Sequence, residues 1–157
     1  MDTLKASRTA PLSGRRALGL AAAALVASGC STGYEALGTR TAHVMVNGVE
    51  ISDQLRVTCE QVQWVWFIDS IQESPGFTAQ VRTGADVDAR LVRIENLGGF
   101  TGSAWNATVR APSTPPAVEA DAKVVRGTFE ISGAAMGFYQ DDPAEISTAT
   151  FEIRTDC

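Results

Sequence analysis

The chain has 157 residues, a length that fits one domain, and a formal net charge of −5. An acidic chain offers no basic face to a phosphate backbone, which excludes nucleic acid as a partner, and it is repelled by anionic lipid rather than docked on it. Its three cysteines form no Cys-x-x-Cys, so neither a dithiol redox motif nor a cysteine-built zinc site is present.

Residues 1–16 carry Lys5, Arg8, Arg15 and Arg16 against one acid, Asp2, and residues 17–28 (ALGLAAAALVAS) carry no charge. A basic stretch, a short apolar run and small residues make a bacterial export signal. The run is shorter than the roughly 20 residues of a permanent span. Ala27-Ser28-Gly29-Cys30 resembles the lipobox of bacterial lipoproteins. That resemblance implies cleavage between Gly29 and Cys30 and a diacylglycerol on the Cys30 thiol, with further acylation by palmitate-type chains. Arg15-Arg16-Ala17-Leu18 also resembles a twin-arginine signal, so both general secretion and twin-arginine export stay open. The expected organisation is a signal peptide over 1–29, a lipidated N-terminus and tether over 30–41, and a β-sandwich domain over 42–157. Cleavage removes four of the 13 Lys/Arg and one of the 18 Asp/Glu, leaving 9 against 17 and a formal charge of −8. Two or more acyl chains anchor stably, each buried methylene contributing about 0.8 kcal/mol. Cys59 and Cys157 remain, and outside the cytoplasm such thiols oxidise. A disulfide between them closes a loop worth roughly 4.7 kcal/mol in the chain-entropy model; the alternative is two free thiols.

From residue 42 the pattern is β. AHVMV-NG-VEIS (42–52) places Asn47-Gly48 between apolar runs, a hairpin signal because both turn positions need positive φ. LRVTC (55–59) continues as strand. In QVQWVWFIDSI (61–71) the period-two reading puts Val62, Trp64, Trp66 and Ile68 on a core face, with Phe67 opposite. Ser74-Pro75-Gly76 is a turn. FTAQVRT (77–83) alternates Phe77, Ala79 and Val81 inward. ARLVRIENL (89–97) sets Val92 and Ile94 against Leu91 and Arg93, and Gly98-Gly99 breaks it. SAWNATVRA (103–111) carries Trp105, Ala107 and Val109 on one face, and PSTPPA (112–117) is a loop. AKVVRGTFEISGAAMGFY (122–139) reads as one long strand or a pair bent near Gly133. DDPAE (141–145) turns, and STATFEIRTDC (147–157) closes with Ala149, Phe151 and Ile153 on one face. About eight short strands near ten-residue spacing predict an all-β antiparallel sandwich or small barrel. The three tryptophans and most phenylalanines are expected in its core.

The order of these features resembles the mycobacterial nineteen-kilodalton lipoprotein antigen family. VMVNG (44–48), VTC (57–59), VRGTFEISGAAMGF (125–138) and TFEIRTDC (150–157) carry the resemblance over nearly all of the chain that follows the lipobox. It implies a lipid-anchored envelope protein of an actinobacterium, a surface antigen whose lipid engages host receptors, and in some members an adhesin. The tether here offers only Ser31, Thr32, Thr39 and Thr41 as hydroxyl sites for the glycosylation found in that family.

Signals of catalysis are sparse. His43 is the one histidine and stands in a predicted strand; no Gly-x-Ser-x-Gly or Ser-x-x-Lys motif occurs. No cluster of histidine and cysteine has metal-ligand spacing, and no cofactor is implied. Asp86-x-Asp88 and Asp141-Asp142 lack the calcium-loop pattern and suit turns. Glu60, Asp69, Glu73 and Glu130 offer a paired-carboxylate chemistry only in the general way that any acidic domain does. Asn106-Ala107-Thr108 fits a glycosylation sequon by chance. The expected protein is therefore a non-enzymatic envelope lipoprotein, attached to the membrane through Cys30, with a host receptor or envelope glycolipid as partner. The alternative is a lipid carrier with a cavity between the sheets, whose apolar ligand face would be Trp64, Trp66 and Phe67.

Overall fold

The computed structural model describes residues 40–106 and 118–157. The expected export signal, Gly29, Cys30, most of the expected tether, Ala107 and Val109 lie outside them. The described chain is all-β: β1 (Thr41–Val46), β2 (Val49–Val62), β3 (Val65–Ser70), β4 (Gly76–Arg82), β5 (Asp88–Leu97), β6 (Phe100–Trp105), β7 (Glu119–Val125), β8 (Thr128–Tyr139) and β9 (Asp142–Asp156). Every pairing is antiparallel, in the order β6-β5-β4-β3-β2-β1-β9-β8-β7. The sandwich-like class is the one the strand spacing predicts.

One further ladder closes the sheet. The first half of β8 pairs with β7 and its second half, Met136–Tyr139, pairs with β6. The two layers are thus joined through hydrogen bonds into a barrel, which leaves little open edge. Glycine allows the exchange of partners along β8. A Cβ on Gly133 would lie 2.0 Å from the Glu119 carbonyl oxygen, and one on Gly137 1.9 Å from that of Thr101. Only a residue without a side chain lets the neighbouring backbones come this close. The expected bend near Gly133 is therefore a close approach, and the strand pair over 122–139 instead breaks at Arg126-Gly127, where both φ angles are positive.

The alternation read from sequence fills the interior. Ala42, Val44 and Val46 of β1, Phe77, Ala79 and Val81 of β4, Val92 and Ile94 of β5, and Ala149, Phe151 and Ile153 of β9 are buried. Burying each valine, isoleucine or phenylalanine among them stabilises by about 1.5–3 kcal/mol relative to exposure. Two ring pairs pack at opposite ends of this core. Trp66 tilts against Phe129 at 5.4 Å, and Phe100 meets Tyr139 edge-on at 5.2 Å.

The registers define two ends. At the lower end β1 begins at Thr41, β2 runs out to Val62, and the turns 63–64, 83–87 and 126–127 connect strands. The upper end carries the turns 47–48, 98–99 and 140–141 and the segment 71–75. At the lower end Cys59 and Cys157 form a disulfide, Cα to Cα 5.9 Å. Its place follows from the register. β1 separates β2 from β9 only down to Thr41, which pairs with Arg56, while Ala42 pairs with Thr155. Cys59 and Cys157 both lie beyond that level, and the disulfide links β2 directly to the end of β9.

Two segments depart from the sequence reading. QVQWVWFIDSI is not one strand: β2 ends at Val62, Gln63 and Trp64 form the turn with Gln63 at φ 56°, and β3 starts at Val65. The turn resets the alternation. Val62 pairs with Val65 on the outer face, and Trp66 and Ile68 point inward. The strand expected over 103–111 begins earlier, at Phe100, and its described part ends at Trp105. With both changes the described residues hold nine strands rather than about eight.

Candidate functional site

A broad depression lies on the outer face of β2 to β5. Its floor is a row fixed by register: Thr58 beside Asp69, Asp69 beside Thr78, and Thr78 beside Arg93. The segment 71–75 overhangs it, and Ile71, Glu73, Ser74 and Glu95 complete an open cleft of about 730 Å³. Ser70 holds the overhang in place. Its hydroxyl accepts from the Phe77 N–H at 2.8 Å and lies 2.7 Å from the Gln72 carbonyl, to which it can donate. Gly76 permits this packing, since a Cβ there would stand 2.2 Å from both the Gln72 oxygen and the Ser70 Oγ.

The cleft is polar. Asp69, Glu73 and Glu95 supply carboxylates, Thr58, Ser74 and Thr78 hydroxyls, and Arg93 a guanidinium that meets Glu95 at 2.6 Å. Such a lining suits hydrogen bonding to a hydroxyl-rich ligand, and it contains no nucleophile held by a base. Of the carboxylates singled out in the sequence, Asp69 and Glu73 come together here. Glu130 does not: it sits on β8 and pairs with Lys123 at 2.6 Å, and this contact raises the lysine pKa through the hydrogen bond and the opposite charge. Asp88 is buried and its Oδ2 accepts from Arg82 Nε at 2.8 Å, which commits it to a structural ion pair, while Asp86 is exposed in the 83–87 turn. His43 Nε2 is 2.8 Å from Glu50. No group of three or more metal-ligating side chains occurs among the described residues.

The apolar ligand face expected from Trp64, Trp66 and Phe67 is not formed. Trp64 stands in the β2–β3 turn with 68% of its surface exposed. Trp66 packs inward on Phe129. Phe67 is on the outer face between Glu60 and Gln80. The three rings point in different directions because the turn at Gln63-Trp64 takes Trp64 out of the strand phase, and Phe67 follows Trp66 by one position. No Gly, Pro, Asn or Asp marks this turn in the sequence, which is why alternation alone misassigned it.

A sequence model described as "Mycobacterium 19 kDa lipoprotein antigen" matches residues 35–157, the whole β domain and the residues just before it. The chain belongs to that family. A protein of Mycobacterium avium subsp. hominissuis (strain TH135), named as a candidate lipoprotein, is 34% identical over 142 residues, covering 90% of this chain and 91% of its own length. Membership in the 19 kDa antigen family agrees with the segments that suggested it: VTC holds one half of the disulfide, and the closing FEIRTDC is the last core strand with the other half.

Proposed function

We propose that this member of the 19 kDa antigen family is a lipid-anchored, non-enzymatic protein of the cell envelope. Export removes residues 1–29, lipid joins the Cys30 thiol, and the β domain is displayed on the extracytoplasmic face as a surface antigen and binding module. The observation that carries the reading is the fate of the cysteines. Cys59 and Cys157 are occupied by each other, so the one remaining thiol is Cys30, at the end of a lipobox-like AlaSerGlyCys behind a basic and apolar leader. An envelope glycolipid or host receptor is the partner class, and the polar cleft beneath 71–75 is where a hydroxyl-rich headgroup would hydrogen-bond. The carrier reading loses its basis, because the rings that were to line a cavity do not share a face.

The test is metabolic labelling with palmitate together with intact mass. The protein from its native membrane is expected to weigh as residues 30–157 plus acyl chains, with no free thiol at Cys59 or Cys157. Cys30→Ala is expected to abolish labelling. Labelling that persists in that variant would overturn the anchor.

A further inference from the structure

We infer that the lower end of the barrel rests on the bilayer, with the Trp64 indole in the headgroup region. This rests on the lipid anchor proposed above and adds an orientation and a contact residue to it.

The first observation is an indole with no packing role. Trp66 is stacked on Phe129 and Trp105 packs against the core, whereas Trp64 is 68% exposed and Val62 beside it 50% exposed. Together with Gly84 and Ala85 of the adjacent 83–87 turn, Trp64 borders a shallow depression whose rim also holds Arg82 and Asp86. The segment 61–67 (QVQWVWF) has no charge. An uncharged hairpin bearing an indole, flanked by one arginine and one aspartate, fits the membrane interface, where tryptophan concentrates because its body is apolar and its N–H is polar.

The tip is also held firmly. The Thr83 N–H donates to the Trp64 carbonyl at 2.6 Å, and Gln61 Nε2 donates to that of Gln63 at 2.9 Å. The disulfide fixes β2 three residues before Val62. A contact residue on a rigid support loses little conformational freedom on binding.

The chain's own route supplies the occupant. β1 begins at the lower end: the Arg40 carbonyl accepts from the Val57 N–H, and the Thr41 carbonyl accepts from the Thr155 hydroxyl. Residues 31–40 separate Cys30 from Thr41, a stretch that reaches at most about 36 Å. An anchored lower end meets the bilayer at high effective concentration, so even a weak contact is populated. Charge favours the same orientation. The upper end carries exposed Asp141, Asp142 and Glu145, which anionic headgroups repel, whereas at the lower end exposed Glu60 and Asp86 are offset by exposed Arg82 and Arg126. Ile146, 77% exposed, lies beside those acids and stays in water with them.

The experiment uses the acylated full-length product from its native membrane, reconstituted in phosphatidylcholine vesicles with brominated acyl chains. Relative to unbrominated vesicles, the protein is expected to lose the emission of one of its three tryptophans. Trp64→Ser is expected to abolish that loss, and Ile146→Ser to leave it unchanged. Intact mass is read on the same samples. Acylated protein that is quenched equally with and without Trp64 overturns the orientation and leaves the anchor standing; a mass without acyl chains overturns both. Trp64-dependent self-association with no bromine quenching would assign the patch to a second copy and also overturn the inference.

Discussion

The β1–β2 and β2–β3 hairpins leave opposite ends of β2, and each turns in two residues. At the upper turn both φ angles are positive, 51° at Asn47 and 73° at Gly48. These residue types favour that geometry before anything else has folded. Asn47 then ties the turn back to the barrel: its Nδ2 donates to the Tyr139 hydroxyl at 2.6 Å and its Oδ1 accepts from the Thr150 N–H at 2.9 Å. At the lower turn Gln63 adopts φ 56° with no such preference, and Trp64 points outward. The upper hairpin is built by local chemistry. The lower one is imposed by its surroundings: by the Val62–Val65 pairing, by Thr83 beneath Trp64, and by the disulfide at Cys59. A turn that is locally unfavourable, and that places an indole in solvent, is the place to look for a role outside folding.

Three variants break or sharpen this contrast. The largest effect is expected from Cys59→Ser combined with Cys157→Ser, which removes the staple on which the lower hairpin depends. Denaturant unfolding should show a loss of about 2–5 kcal/mol. A loss well below that range would mean that strand register alone holds the hairpin. Asn47→Ala comes next, since it removes the side chain's hydrogen bonds to Tyr139 and to Thr150 and places alanine at positive φ. We expect a loss of about 1–3 kcal/mol, measured the same way. The smallest change should have the opposite sign. Gln63→Gly relieves the left-handed backbone of the lower turn and is expected to stabilise by up to about 1 kcal/mol. If Gln63→Gly destabilises instead, the Gln63 side chain contributes a contact of its own, and the turn is not merely tolerated.

Legibility followed the same division. Wherever alternation was uninterrupted, as in Phe77-Ala79-Val81 or Ala149-Phe151-Ile153, the buried face was correct, because a period of two is dictated by the pleat. The hairpin at Asn47-Gly48 and the break at Gly98-Gly99 were visible for the reason that their residues tolerate positive φ. Gln63-Trp64 was invisible, and with it the true positions of Trp64 and Val62. Arg126-Gly127 was missed in favour of a bend at Gly133, because both glycines look alike in sequence while one makes a turn and the other admits the β7 backbone. The cleft was legible only as single residues. Thr58, Asp69, Thr78 and Arg93 are spread over four strands, and nothing in their spacing announces that register lines them up.

The sequence by itself determined the class of fold, the inward residues of most strands and the family, because these depend on local periodicity and on short segments in a fixed order. The closure of the sheet by β6 against β8, the direct link of β2 to the end of β9 by the disulfide, and the outward position of Trp64 were decided by tertiary structure. Each depends on which strands become neighbours and in what register, and that is settled by the burial of the whole core rather than by any one segment.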